Sequence, residues 1–321
     1  MVKNMKKNIK IVNLRALAIL LVVLGHSIII YSPQWGYYTT ENKVLVFQYL
    51  KDIINIIQMP IFFSISGYLF CKSINSKRNI IEFVKNKIKR LLIPFILIGI
   101  VWMIPIKYII NYYKEGHLPT IFIKFILGID IGHLWYLIAL FLIFMIFYLI
   151  RKQIEKTTIK KDILISMILL IISLMASKYF IHKYINDTLI YLFYFYIGIL
   201  IRRYEDNINW NKTLISIISI LLMILSILVK SEILKYITAI ITTITLYKIM
   251  PNKTTKLVEK ISSNCFGIYL FHSPLIYITF TYFANSNPLL ILIINFFIFG
   301  TISFYLTELV RKIKLELIIG E

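Results

Sequence analysis

Runs of about 17–25 mostly apolar residues recur from one end of this 321-residue chain to the other, and each is long enough to cross the hydrocarbon core of a bilayer. No other feature constrains the fold as tightly. Backbone in lipid must satisfy its own hydrogen bonds, so only helices and closed barrels span, and these runs are too long for barrel strands. The expected architecture is all-α, a polytopic transmembrane helical bundle. Ten spans fit, near residues 11–31, 53–71, 91–110, 134–150, 162–180, 187–202, 212–230, 233–250, 264–283 and 288–310. A hydrophobic share of 59%, against roughly 45–50% in soluble domains, leaves no stretch for a soluble domain. Residues 1–321 read as a single integral-membrane domain without internal repeat or linker.

Lysine and arginine placement tests the count. With both termini cytoplasmic, the inner ends and loops collect 26 of the 36 basic residues, nine fall outside, and Arg15 lies within a span. That is the positive-inside bias. Together with anionic inner-leaflet lipid it explains a net charge of +21. The charge is spread over many short loops, so membrane lipids are expected as partners and no nucleic acid is. The first run is too long for the apolar part of a signal peptide and is expected to stay as a span. The two cysteines, Cys71 and Cys265, both fall near the inner face and suggest no disulfide framework.

Polar residues inside the spans point toward chemistry. Arg15 and His26 are eleven residues apart, which places them on one helix face about 16 Å apart along the axis. Arg15 admits two readings, snorkelling to the inner headgroups or holding a ligand. His26, past the midplane, has no such escape. It is either a packed, hydrogen-bonded ring or a functional one. The second span ends "QMPIFFSISGYLF", where Pro60 interrupts the ladder. Ser64, Ser66 and Gly67 there suit close helix packing or a polar cavity equally. Lys85, Lys87, Lys89 and Arg90 precede Pro94; they read as the positive-inside signal or as a phosphate site. "GHLWYL" places His133 beside an interfacial belt of Trp135 and Tyr136. "IYLFHSPL" sets Tyr269 and His272 just before Pro274, a site wall whose proline frees a carbonyl one turn back. The histidines are scattered without metal-ligand spacing, so no metal is expected. No nucleophile elbow for a serine triad appears.

Taken together these blocks resemble the membrane-bound acyltransferase-3 family, which includes O-acetylases of bacterial glycans. Arg15 and His26 reproduce its signature of an arginine and a histidine separated by ten residues. "FFSISGYLF", "KRLLIPF", "HLWYL" and "IYLFHSPL" follow in the family's order, over residues 10–310. The resemblance implies a multi-pass protein of the bacterial plasma membrane. It implies no bound cofactor, with acetyl-CoA or another acyl-CoA as co-substrate and a glycan or lipid-linked sugar hydroxyl as acceptor. It further implies His26 as general base, Arg15 on the coenzyme phosphates or the thioester oxyanion, and Lys89 and Arg90 beside Arg15. Ser66, His133, Trp135, Tyr269 and His272 would touch substrate. The rival reading is a transporter or flippase of a polar small molecule or an acyl or glycan carrier. Residues alone leave the two level. The lack of an inverted repeat and of an intramembrane carboxylate chain for proton coupling counts against transport.

Overall fold

The computed structural model describes residues 8–32, 40–74, 79–113, 116–205, 207 and 211–321. Among them are ten long helices and no strand. They are α1 (Ile9–Ser27), α2 (Leu45–Ile74), α3 (Ile80–Ile109), α4 (Gly132–Leu149) and α5 (Ile159–Lys178). They continue with α6 (Lys183–Tyr204), α7 (Lys212–Val229), α8 (Glu232–Ile249), α9 (Lys256–Tyr282) and α10 (Pro288–Lys312). Seven of these, all but α5, α8 and α9, are long and apolar enough to cross a membrane. Each expected span falls on one helix. The fold is a polytopic helical bundle.

Side chains set the helix starts. Asn8, Asn79, Asn211, Ser231, Thr255 and Asn287 each accept a hydrogen bond from a first-turn N–H, which satisfies donors the helix cannot. Three starts lie eight or more residues upstream of the expected ones: α2 begins at Leu45 instead of 53, α3 at Ile80 instead of 91 and α9 at Lys256 instead of 264. All three extensions carry polar residues, and an apolar-run criterion stops where polar residues begin.

At the centre, α2 packs on α6 and α1 lies between α2 and α9. The backbones of α2 and α6 touch. A Cβ at Gly67 would overlap the Phe195 carbonyl, and one at Gly198 would overlap that of Ser64. Small residues permit this approach where lipid offers helices no hydrophobic drive to associate. Polar pairs lock the periphery. Asp162 on α5 accepts from Tyr196 Oη at 2.6 Å, from Tyr204 Oη at 2.7 Å and from Arg203. Ser219–Thr242 (2.8 Å) and Ser226–Thr238 (2.6 Å) join α7 to α8.

Prolines shape the elements that carry the site. In α3 the ladder slips to π spacing over Ile88–Leu92 and Gly99–Met103, just ahead of Pro94 and Pro105. A proline has no N–H to offer, and the turn before it widens. By contrast, α2 and α9 stay helical through Pro60 and Pro274.

Candidate functional site

Arg15 and His26 share a face of α1 but line different cavities. Arg15 borders one of about 440 Å³ with Ser66, Arg90, Tyr136, Tyr269 and Lys87. His26 borders another of about 280 Å³ with His133, Trp135, Asp130, Ser273 and Tyr277. The two lie toward opposite ends of α1, about three turns apart. Residues separated by 250 positions in sequence are brought together here, as Cys265 Sγ lies 3.6 Å from the Arg15 carbonyl.

Between the cavities stands a septum built around Pro274. Because that residue lacks an N–H, the Leu270 carbonyl one turn back has no intrahelical donor. His133 Nε2 supplies one at 3.1 Å. The next carbonyl, Phe271, accepts from Trp102 Nε1 at 3.1 Å. The helix defect is thus repaired by α4 and α3, and the repair fixes the His133 ring. Tyr269 Oη closes the loop by donating to the His133 carbonyl. Tyr136 packs edge-on against Tyr269 at 5.5 Å, with its hydroxyl 3.5 Å from Ser66 Oγ.

Hydrogen bonds dictate the proton positions on the histidines. His272 Nδ1 lies 2.9 Å from the Ile268 carbonyl. A carbonyl oxygen only accepts, so this nitrogen carries the proton and His272 Nε2 carries the lone pair. His26 Nδ1 lies 2.8 Å from that Nε2 and must donate to it. His26 Nε2 is left with the lone pair, and among the described residues it has no hydrogen-bond partner. The two rings are nearly parallel, at 7°. The chain Ile268 carbonyl, His272, His26 therefore does for a base what an orienting group does in any nucleophile–base–orienter arrangement. By the same logic His133 Nε2 is protonated and its buried Nδ1 is a lone pair without a partner among the described residues.

The sequence-predicted residues divide between the cavities. Arg15, Ser66, Arg90 and Tyr269 meet in the larger, while His26, His133 and Trp135 meet in the smaller. His272, fully buried, touches His26 from behind. Lys89 is exposed and does not line the larger cavity; Lys87 and Asn86 do. The π turn at Ile88–Leu92 alters which side chains of this segment face inward.

Two buried lysines also belong to the site, and apolar runs gave no warning of them. Lys51 is 2% exposed, packed beside Gly25 and next to His26 in α2. Its signal is a polar stripe at helical spacing, Gln48, Lys51, Asn55 and Gln58. Lys107 is fully buried and donates to Asp130 at 2.8 Å.

A family model described as "Acyltransferase domain" matches residues 8–308. Comparison with curated proteins and with solved structures finds no match.

Proposed function

This chain belongs to the acyltransferase-3 family, and on that footing we propose that it moves an acetyl group from acetyl-CoA to a hydroxyl of a sugar, surface glycan or lipid-linked glycan. That it is a membrane acyltransferase follows from the family and the bundle; the donor, the acceptor and a bacterial plasma membrane are the reading offered here. The observation that carries it is the pair of cavities meeting at a septum whose one outward-facing lone pair on α1 is His26 Nε2.

The acceptor hydroxyl approaches His26 Nε2 and gives up its proton as its oxygen attacks the thioester carbonyl. The tetrahedral intermediate expels the coenzyme thiolate, and the imidazolium returns the proton to sulfur. One C–S bond breaks, one C–O bond forms, and the products are an O-acetyl ester and a thiol. His272 holds the imidazolium by accepting from Nδ1 throughout. Arg15 stands about 16 Å from His26 along α1, whereas an oxyanion donor must sit about 3 Å from the reacting oxygen. We therefore assign Arg15, with Arg90 and Lys87, to the phosphates of the donor. In this reading the Arg15 cavity faces the cytoplasm, where acyl-CoA is made. A transporter reading has no comparable support, because the family is one of acyltransferases.

Mass spectrometry of surface glycans and lipids, from cells with and without this protein, tests the proposal: acetyl esters should appear only with it. Purified protein should gain thermal stability with acetyl-CoA and not with acetate. Unchanged stabilisation in Arg15→Lys and Arg90→Ala would return Arg15 to a snorkelling role.

A further inference from the structure

The His26 cavity holds more chemistry than a base requires. Asp130 lies on its wall, on the segment between a short helix (Leu118–Ile126) and α4. One carboxylate oxygen, Oδ1, receives the Lys107 ammonium at 2.8 Å. Oδ2 has no hydrogen bond among the described residues. Lys107 is itself wholly buried, with its Nζ 4.4 Å from the Tyr112 ring centroid and 4.8 Å from that of Tyr277. Gly132 (φ +50°) turns the chain beside it, and a Cβ there would lie 3.9 Å from Lys107 Nζ. Burying an ammonium inside a membrane bundle is costly. This one steadies a carboxylate at the rim of a cavity.

The charges and lone pairs on the wall define what fits. Asp130 is balanced by Lys107. Lys183, also on the wall, is balanced by Asp187 at 2.7 Å. Among the described residues on the wall no unpaired cation remains for an anionic ligand; Lys51, beside His26, is not on the wall. The unused polar atoms are mostly acceptors: Asp130 Oδ2, His26 Nε2 and the orphaned Nδ1 of His133, which is 6% exposed. A phosphate or carboxylate brings only acceptors and would meet lone pairs; a polyol brings hydroxyl donors. Trp135 and Tyr277 supply ring faces for its C–H surface. At about 280 Å³ the space lies at the small end of ligand pockets, which span roughly 300–1,000 Å³.

We propose that the His26 cavity is the acceptor site, shaped for one uncharged sugar unit, and that Asp130, steadied by Lys107, hydrogen-bonds a sugar hydroxyl and positions its neighbour at His26. This rests on the acetyl-transfer reading above.

The test uses full-length protein in lipid nanodiscs and radiolabelled acetyl-CoA. As acceptor it takes the glycan and lipid-linked sugar fraction extracted from cells that make the protein. Asp130→Asn should raise the half-saturating acceptor concentration by about tenfold or more, the loss expected for one charge-assisted hydrogen bond. The half-saturating acetyl-CoA concentration should stay put. Asp130→Glu should recover part of the loss, and Lys107→Gln should shift the same constant in the same direction. Acetyl-CoA thermal stabilisation of each variant shows that it is folded; if Lys107→Gln fails there, the Lys107→Gln/Asp130→Asn pair removes both charges together. Mass spectrometry of the product should place the ester on a neutral hexose or an N-acetylated amino sugar. An unchanged acceptor constant in Asp130→Asn, an equal loss for acetyl-CoA, or an ester on a uronate or phosphorylated unit overturns the proposal. Wild-type protein that transfers nothing above a protein-free control overturns the acetyl-transfer reading instead, before any variant is compared.

Discussion

At the scale of single residues, His26 carries the sharpest expectation. If its Nε2 is the base, His26→Ala lowers acetyl transfer by about 10²-fold or more, with little change in acetyl-CoA affinity. His26→Gln keeps a hydrogen-bonding side chain and cannot take a proton near neutrality, so it should be nearly as slow. His272 acts behind His26 by holding its Nδ1–H. His272→Leu should therefore cut turnover by about ten- to a hundredfold, while His272→Gln, whose carbonyl can accept that proton, should be milder. Steady-state kinetics on the four variants checks this. Near-normal transfer with Gln at 26 would move the base to His133, whose Nδ1 lone pair is unused; that of His272 is already engaged. Arg15 and His26 were legible from spacing alone, because eleven residues on one helix fix a shared face. The link between His26 and His272 was not, because 246 positions separate them and only the packing of α1 on α9 joins them. The Lys107–Asp130 pair was hidden for the same reason: each sits singly in a stretch that reads as interface.

At the scale of elements, apolar run length located each of the ten long helices and misjudged the ends wherever a polar stripe extended it, as at Leu45–Ile74. What no run length conveys is the register inside α3. The π turn over Ile88–Leu92 rotates everything before Pro94 by roughly 100° relative to a regular ladder. That rotation decides that Arg90 and Lys87 line the larger cavity while Lys89 does not. Pro94→Ala would restore an N–H to the position and favour a regular helix. The expected outcome is weaker acetyl-CoA binding, by several-fold in a thermal-shift titration, with the acceptor constant unchanged, although Pro94 is not among the residues lining either cavity. Equal loss for both substrates would mean that the substitution only loosens the bundle.

At the scale of the whole molecule, we propose from the bias of basic residues over ten expected spans that both termini are cytoplasmic. Reporter fusions or cysteine labelling at the two ends should give the same side for each; opposite sides would reverse the assignment of one cavity. If the assignment stands, the septum has an electrical consequence. Its proton starts on a hydroxyl reached from outside and finishes on a thiol that leaves to the cytoplasm, while the acetyl group passes the other way. The acceptor is neutral before and after, and the coenzyme keeps its own charge, so a complete turnover moves no net charge through the membrane field. Electrical recording from proteoliposomes on a solid support should detect no sustained current while acetyl-CoA is consumed. A sustained current would show that the proton crosses without the acetyl group in exchange. The thioester alone then drives decoration of glycans, which continues in cells whose membranes have lost their potential.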